Sequence, residues 1–210
     1  MLRPRRARQR GLAILTAVAL GFGLAACSDD SDSTDSASDT QTAANGTVFN
    51  DADVEFATSM IPHHAQAIEM VTLGDGRPLD PAVQQLASQI RDAQVPEVET
   101  MVDWLTSWGE EVPETSLDHS NAGHGMDMDS MGGDTPGMMS NEDIRALENA
   151  SDGEFQDMWL EMMMEHHRGA IEMAETEQAQ GKYPDAVALA TSIETAQKAE
   201  IGQIEQLLGS

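Results

Sequence analysis

The sequence matches itself when it is slid along by 103 residues. At that offset Met60 falls on Met163, His63-His64 on His166-His167, and Ala67-Ile68-Glu69-Met70 on Ala170-Ile171-Glu172-Met173. Without a gap the same offset pairs Pro81 with Pro184, Leu86-Ala87 with Leu189-Ala190, Ile90 with Ile193, Ala93-Gln94 with Ala196-Gln197 and Glu97 with Glu200. About fifteen identities over roughly 54 positions mark two copies of one supersecondary unit, so a single local fold has to serve both. That unit reads as a helical hairpin. In the first copy Asn50 or Asp51 caps a helix to about Leu73, Gly74-Asp75-Gly76-Arg77-Pro78 breaks it, and Asp80-Pro81 opens the next. In the second, Ser151 with Glu154 reads as a capping box, Gly181 ends the long helix and Pro184 opens the last. Phe56, Met60, Ala67 and Val71 form one apolar stripe, and Val83, Leu86, Ile90, Met101 and Leu105 another, while no stretch alternates as a strand would. Each hairpin alone buries little. Packed together they close a core, which predicts an all-α chain, an antiparallel four-helix bundle built from two duplicated hairpins over residues 50–208. The repeats run from about 53 to 106 and from about 156 to 209, and residues 141–149 read as a short extra helix. Pro62 and Pro96 fall inside helices, where each removes a backbone donor and is expected to kink its helix.

Ahead of the bundle, Arg3, Arg5, Arg6, Arg8 and Arg10 precede an almost unbroken apolar and small-residue run from Gly11 to Ala26. Sixteen residues are too few for a membrane span of about 20, and the layout is that of a secretory signal. The signal ends at Leu24-Ala25-Ala26-Cys27, which resembles a bacterial lipoprotein box, so Cys27 is expected to carry lipid and residues 1–26 to be removed. The protein is then exported and lipid-anchored in a bacterial cell envelope. Residues 27–49, rich in Ser, Asp and Thr, read as a disordered acidic tether with too little to bury.

Charge narrows the partners. The chain carries 37 acidic residues against 11 Lys plus Arg, a formal net charge of −26, and five of those 11 lie in the signal. Such a body repels nucleic acid and draws cations. With one cysteine it forms no internal disulfide and no thiolate metal cluster. The donors in surplus are six histidines and 14 methionines.

On a wheel centred on Met60, His63 lies about 60° to one side and His64 about 40° to the other, so both stay within the inward stripe. The second copy repeats this with Met163, His166 and His167, and Met162 and Met164 add sulfur alongside. Four imidazoles and several thioethers converge if the hairpins pack as related halves. Neutral, soft thioethers suit Cu(I) or Ag(I), and imidazole accepts Cu(II) as well. No Glu-x-x-His spacing of the kind a carboxylate-bridged di-iron bundle requires occurs. Glu69 and Glu172 recur on the opposite face and read as solvated. Asp53 aligns with Gln156, so a carboxylate role there is not duplicated. A second, looser site is expected in the connection 109–140, where His119, His124, Met126, Met128, Met131, Met138 and Met139 stand among Gly and Asp with no periodicity for joining a core. Long loops of this kind usually have a task.

The segments Phe56-x3-Met60-Ile61-Pro62-His63-His64-x2-Ala67-Ile68-Glu69-Met70 and Trp159-x3-Met163-x2-His166-His167-x2-Ala170-Ile171-Glu172-Met173 resemble the signature of domain-of-unknown-function family 305 over residues 50–208. The resemblance implies a ferritin-like four-helix bundle. Some envelope members of that family bind copper and are associated with copper tolerance, which implies Met60, His63, His64, Met163, His166 and His167 as metal ligands here.

Three classes of function remain open on this reading. The first is a copper-binding envelope protein that sequesters the ion or transfers it to or from another protein; silver is a substitute ion. The second is a metal-dependent oxidase of a small substrate, for which no nucleophile, phosphate-loop or cofactor motif speaks. The third is a metal-free interaction module whose buried histidine pairs act as polar specificity devices or pH sensors.

Overall fold

A computed structural model describes residues 40–115 and 135–209. A two-residue hairpin, β1 (Gln41–Thr42) and β2 (Val48–Phe49), pairs Gln41 with Phe49 in antiparallel register. Five helices follow: α1 (Asp51–Leu73), α2 (Pro81–Trp108), α3 (Asn141–Asn149), α4 (Asp152–Gln180) and α5 (Pro184–Leu208). The long helices α1, α2, α4 and α5 form the four-helix bundle. α1 packs on α2, α4 on α5, and α1 on α4 across the two repeats. Short connections make each hairpin antiparallel. The α1–α4 contact is antiparallel too, since Asn50 at the start of α1 donates to the Gln180 carbonyl (2.9 Å) and Trp159 Nε1 near the start of α4 donates to the Met70 carbonyl (3.0 Å).

The caps explain the boundaries. The Asn50 side chain accepts from Asp53 N–H while Asp53 accepts from Asn50 N–H, a reciprocal box that fixes the start of α1. Prolines at the first position open α2 and α5, and both α1 and α2 run unbroken through their internal prolines, Pro62 and Pro96. The box expected at Ser151 does not form. Its hydroxyl turns to the Glu154 carboxylate (2.6 Å), and Glu154 N–H is satisfied instead by the Ser151 carbonyl (2.9 Å). A box does close at Ser140 and Asp143, ahead of α3.

The folded region also begins earlier than the expected boundary at residue 50. Ala43 and Phe49 are buried, and Phe49 stacks on Trp108 with centroids 4.6 Å apart. Residues 40–49 therefore belong to the domain rather than to a tether; they contain an apolar pair that a Ser/Asp/Thr average conceals. Cys27 and the rest of the segment 1–39 lie outside the described residues.

The duplication extends to hydrogen bonds. Asp53 Oδ1 accepts from Tyr183 N–H (2.9 Å) at the start of α5, and Gln156 Oε1 accepts from Asp80 N–H (2.8 Å) at the start of α2. Residues 53 and 156 thus have the same job, each accepting from the helix cap of the opposite repeat: the carboxylate is not duplicated, as expected, but the hydrogen bond is. Near Asp53, Glu177 is buried, and neither of its carboxylate oxygens has a hydrogen-bond donor. Burial, with Asp53 beside it, pushes the Glu177 pKa up to about 9. Folding therefore takes up a proton. The contribution of Glu177 to stability is complete below the ordinary value of 4.5 and is lost as pH rises towards 9. Glu177→Gln, neutral at every pH, should melt close to wild type at pH 4–5 and several degrees higher at pH 8–9, as followed by circular dichroism.

Candidate metal centre

The apolar core is divided. One cluster gathers Phe56, Ala57, Met60, Ile61, Met101, Leu105, Ala170, Ala174, Ala186 and Ile193; the other gathers Ala67, Met70, Val71, Val83, Leu86, Ile90, Trp159, Met163 and Ile204. On every long helix the residues between the two clusters are polar and buried or nearly so. They are His63 and His64 on α1, Gln94 and Glu97 on α2, His166 and His167 on α4, and Gln197 and Glu200 on α5. A polar layer of eight side chains, four from each repeat, crosses the middle of the bundle.

At its centre the His63 and His166 rings lie with centroids 3.7 Å apart, tilted by 34°. These residues hold equivalent positions in the two repeats. Equivalent positions touch only on a twofold axis, so the pseudo-symmetry axis of the duplication passes through this imidazole pair. His64 and His167 flank it, each fixed from outside: His64 Nε2–H donates to Glu97 (2.8 Å) and His167 Nε2–H to Glu200 (2.7 Å). His63 Nε2–H donates to the Pro136 carbonyl (3.1 Å). A carbonyl only accepts, so the proton of a neutral His63 ring sits on Nε2 and leaves a lone pair on Nδ1. Burial, reinforced by the neighbouring imidazoles, holds His63 and His166 well below the usual histidine pKa, so both rings are neutral and each keeps the unprotonated nitrogen that metal binding requires.

Eight buried atoms in this layer have no hydrogen-bond partner among the described residues: Nδ1 of all four histidines, Nε2 of His166, both amide atoms of Gln94 and Oε1 of Gln197. Native cores leave few such groups, because each costs about 1–3 kcal/mol. Concentrated in one layer, with buried imidazole nitrogens and carboxylates holding His64 and His167, they match the donor chemistry of a metal site. Among the described residues no group of three or more His, Cys, Asp or Glu side chains is placed to hold one ion. What the layer presents among the described residues is a pair of neutral imidazoles rather than the oxygen-rich cage a hard cation needs. Met60 and Met163 are fully buried, one in each apolar cluster, each one turn from the histidine of its own repeat.

A family model described as a domain of unknown function, DUF305, matches residues 53–208. The chain belongs to the DUF305 family. Comparison with curated proteins gives no match. Among solved structures, a DUF305 fragment from Deinococcus radiodurans is similar at 24% identity and TM-score 0.64, covering 80% of this chain and 99% of its own. A DUF305 candidate secreted protein from Streptomyces coelicolor is similar at 29% identity and TM-score 0.64, over 75% of this chain and 92% of that one. CopM in its Cu(I)-bound form is similar at 28% identity and TM-score 0.56, over 74% of this chain and 94% of its own. CopM structures with Cu(II) and Ag are similar as well.

In this DUF305 chain the sequence brought the four core histidines to the right place but missed their partners. Glu97 and Glu200 stand 33 residues after His64 and His167, and Gln94 and Gln197 three residues earlier still. The signal was present: the two repeats are identical at these polar positions inside otherwise apolar stripes. Of the looser site, His119, His124, Met126, Met128 and Met131 lie outside the described residues. Met139 departs from expectation. It packs against the second apolar cluster, and its backbone is clamped by Gln66, which donates to its carbonyl (2.9 Å) and accepts from its N–H (2.8 Å). Met138, beside it, is half-buried. The chain from Thr135 to Met139 is thus a strap across α1 and α4, and its Pro136 carbonyl is the acceptor for His63.

Proposed function

We propose that this protein binds copper, as Cu(I) or Cu(II), with silver as a substitute, through the imidazole layer, and that it sequesters or hands on the ion outside the cytoplasm. The observation that carries this reading is the His63–His166 pair on the pseudo-twofold axis, with buried lone pairs and carboxylates bracing the flanking rings. Copper and silver in the CopM structures and the secreted description of the Streptomyces relative support it. His64 and His167 extend the pair, and Met60 and Met163, fully buried one turn before the histidines of each repeat, are the thioethers to supply a soft third donor. Cys27 anchors the protein by lipid, on the strength of the Leu24–Cys27 motif and the signal before it. The segment with His119, His124, Met126, Met128 and Met131 adds a looser site. Storage or transfer, rather than turnover, suits histidines that are fully buried.

Titration of the purified protein with Cu(I) under anaerobic conditions, and with Cu(II) and Ag(I), tests the reading. Wild type is expected to bind tightly; replacing His63, His64, His166 and His167 by Ala should remove the core stoichiometry. Unchanged stoichiometry and affinity would refute the core site. Deletion of residues 119–131, which spares the strap, assigns the share of the connecting segment. Oxygen uptake by the copper-loaded protein would point to an oxidase instead. The bracing carboxylates give a separate prediction. Glu97→Gln with Glu200→Gln keeps the shape but weakens the pull on the imidazole proton, and should loosen binding by about 10- to 100-fold.

A further inference from the structure

A cavity of about 300 Å³ opens along the seam between the start of α1 and the end of α4. Ala52, Glu55, Phe56 and Ser59 step along its α1 wall at helical spacing, and the next residue on that face is His63. On the α4 wall Gln180, Glu177, Thr176, Met173 and Glu172 step towards Gly169 and His166. Thr135 and Pro136 of the strap line it too, and the Pro136 carbonyl is the group bonded to His63. The cavity thus reaches a residue in direct contact with the imidazole pair.

Its charge is negative. Glu55 and Glu172 line it, Glu177 lines it as the neutral acid, and among the described residues no Lys, Arg or His does. Glu177 is buried to 1% exposure and none of the described residues hydrogen-bonds its carboxyl oxygens, so an unpartnered polar group, neutral below about pH 9, lines this space. The opposite end of the bundle makes the contrast. There the duplication puts Gly74 in place of Glu177, Arg77 in place of Gln180 and Trp159 in place of Phe56, and the cavity formed, about 350 Å³, is lined by Arg77 and Arg91 with Asp75. Two ends related by the repeat therefore differ in the sign of their charge.

We propose that the acidic cavity between α1 and α4 is the entrance by which a soft monovalent cation reaches the His63–His166 pair, with Glu55 and Glu172 at its mouth attracting the ion. The proposal rests on the copper reading above. Carboxylates in a concave, low-dielectric mouth raise the local cation concentration and speed capture, and salt screens the effect. They are not ligands of the final site, so they act on loading and release equally and leave equilibrium affinity unchanged.

Stopped-flow mixing of the protein with Ag(I), read by tryptophan fluorescence, tests this beside an equilibrium titration. Glu55→Gln with Glu172→Gln should slow loading about three- to tenfold at low salt with the same Kd, and the difference should shrink as salt is added. Glu99→Gln with Asp103→Asn removes the same charge from the exposed face of α2 and should load at the wild-type rate. Wild-type loading in the cavity variant, or equal slowing in both variants, overturns the entrance. A wild-type protein that takes up no Ag(I) or Cu(I) at equilibrium overturns the copper reading and the entrance with it.

Discussion

Replacing His63 and His166 together by leucine should raise the melting temperature of the metal-free protein while removing the metal binding proposed above. The pair buries two imidazoles with three nitrogens, His63 Nδ1 and both of His166, that have no protein partner. Apolar side chains of similar size remove that desolvation cost, a gain of roughly 2–4 kcal/mol for the two sites together. In a domain of this length each kcal/mol moves the melting temperature by about 2–4 °C. Metal affinity should move the other way by more than about 100-fold, since even groups that merely brace a ligand are worth about 10–100-fold. Opposite signs in the two measurements are the signature of a site retained for binding at a cost in stability. Thermal melts in chelator and metal titrations of the same variant decide it. A lower melting temperature with binding intact would make the layer an ordinary structural feature.

The second large effect concerns Gly169. A Cβ there would stand 2.0 Å from the Pro136 carbonyl oxygen and 2.6 Å from Gly137 Cα, backbone atoms that cannot rotate away. The strap itself turns at Gly137, whose φ of 74° suits glycine, and a Cβ on that residue would meet the His166 carbonyl at 2.9 Å. Gly169→Ala must therefore lift the strap from α4. The expected loss is about 1–3 kcal/mol, and His63 Nε2 loses its acceptor. Hydrogen exchange should show the amide of Met139, held by Gln66 in the native strap, opening far more readily than the amides of α1. An alanine variant with wild-type exchange at Met139 would show that the strap accommodates the methyl group by another route.

Much of this architecture was legible because the chain states it twice. Offset identities located both hairpins, and first-position prolines at Pro81 and Pro184 set the helix starts. The convergence of four histidines followed from helical spacing about Met60 and Met163. What was not legible has physical causes. The bond between Asp53 and the start of α5 joins positions 130 residues apart, and its counterpart at Gln156 uses a different side chain, so identity alone hid a shared geometry. The hairpin at residues 40–49 rests on Ala43 and Phe49 meeting Trp108, a tertiary match that local composition cannot carry. Gly169 aligns with Gln66, and the two copies differ there because each contacts the single strap, one by making room and the other by hydrogen bonding. The failed box at Ser151 reflects a choice among acceptors that sequence leaves equal.

The strap crosses the imidazole pair once, although everything beneath it comes in duplicate. Two separate hairpins meeting as a symmetric dimer would be obliged to present identical surroundings to both rings, and any change on one side would appear on the other. Covalent joining lifts that obligation. The strap gives His63 an acceptor and gives His166 none, and of the two cavities related by the repeat one is lined by carboxylates and the other by guanidinium groups, so the fold has a front and a back. If the protein carries an ion as proposed, that polarity is the least it must have to receive its cargo from one neighbour and surrender it to another.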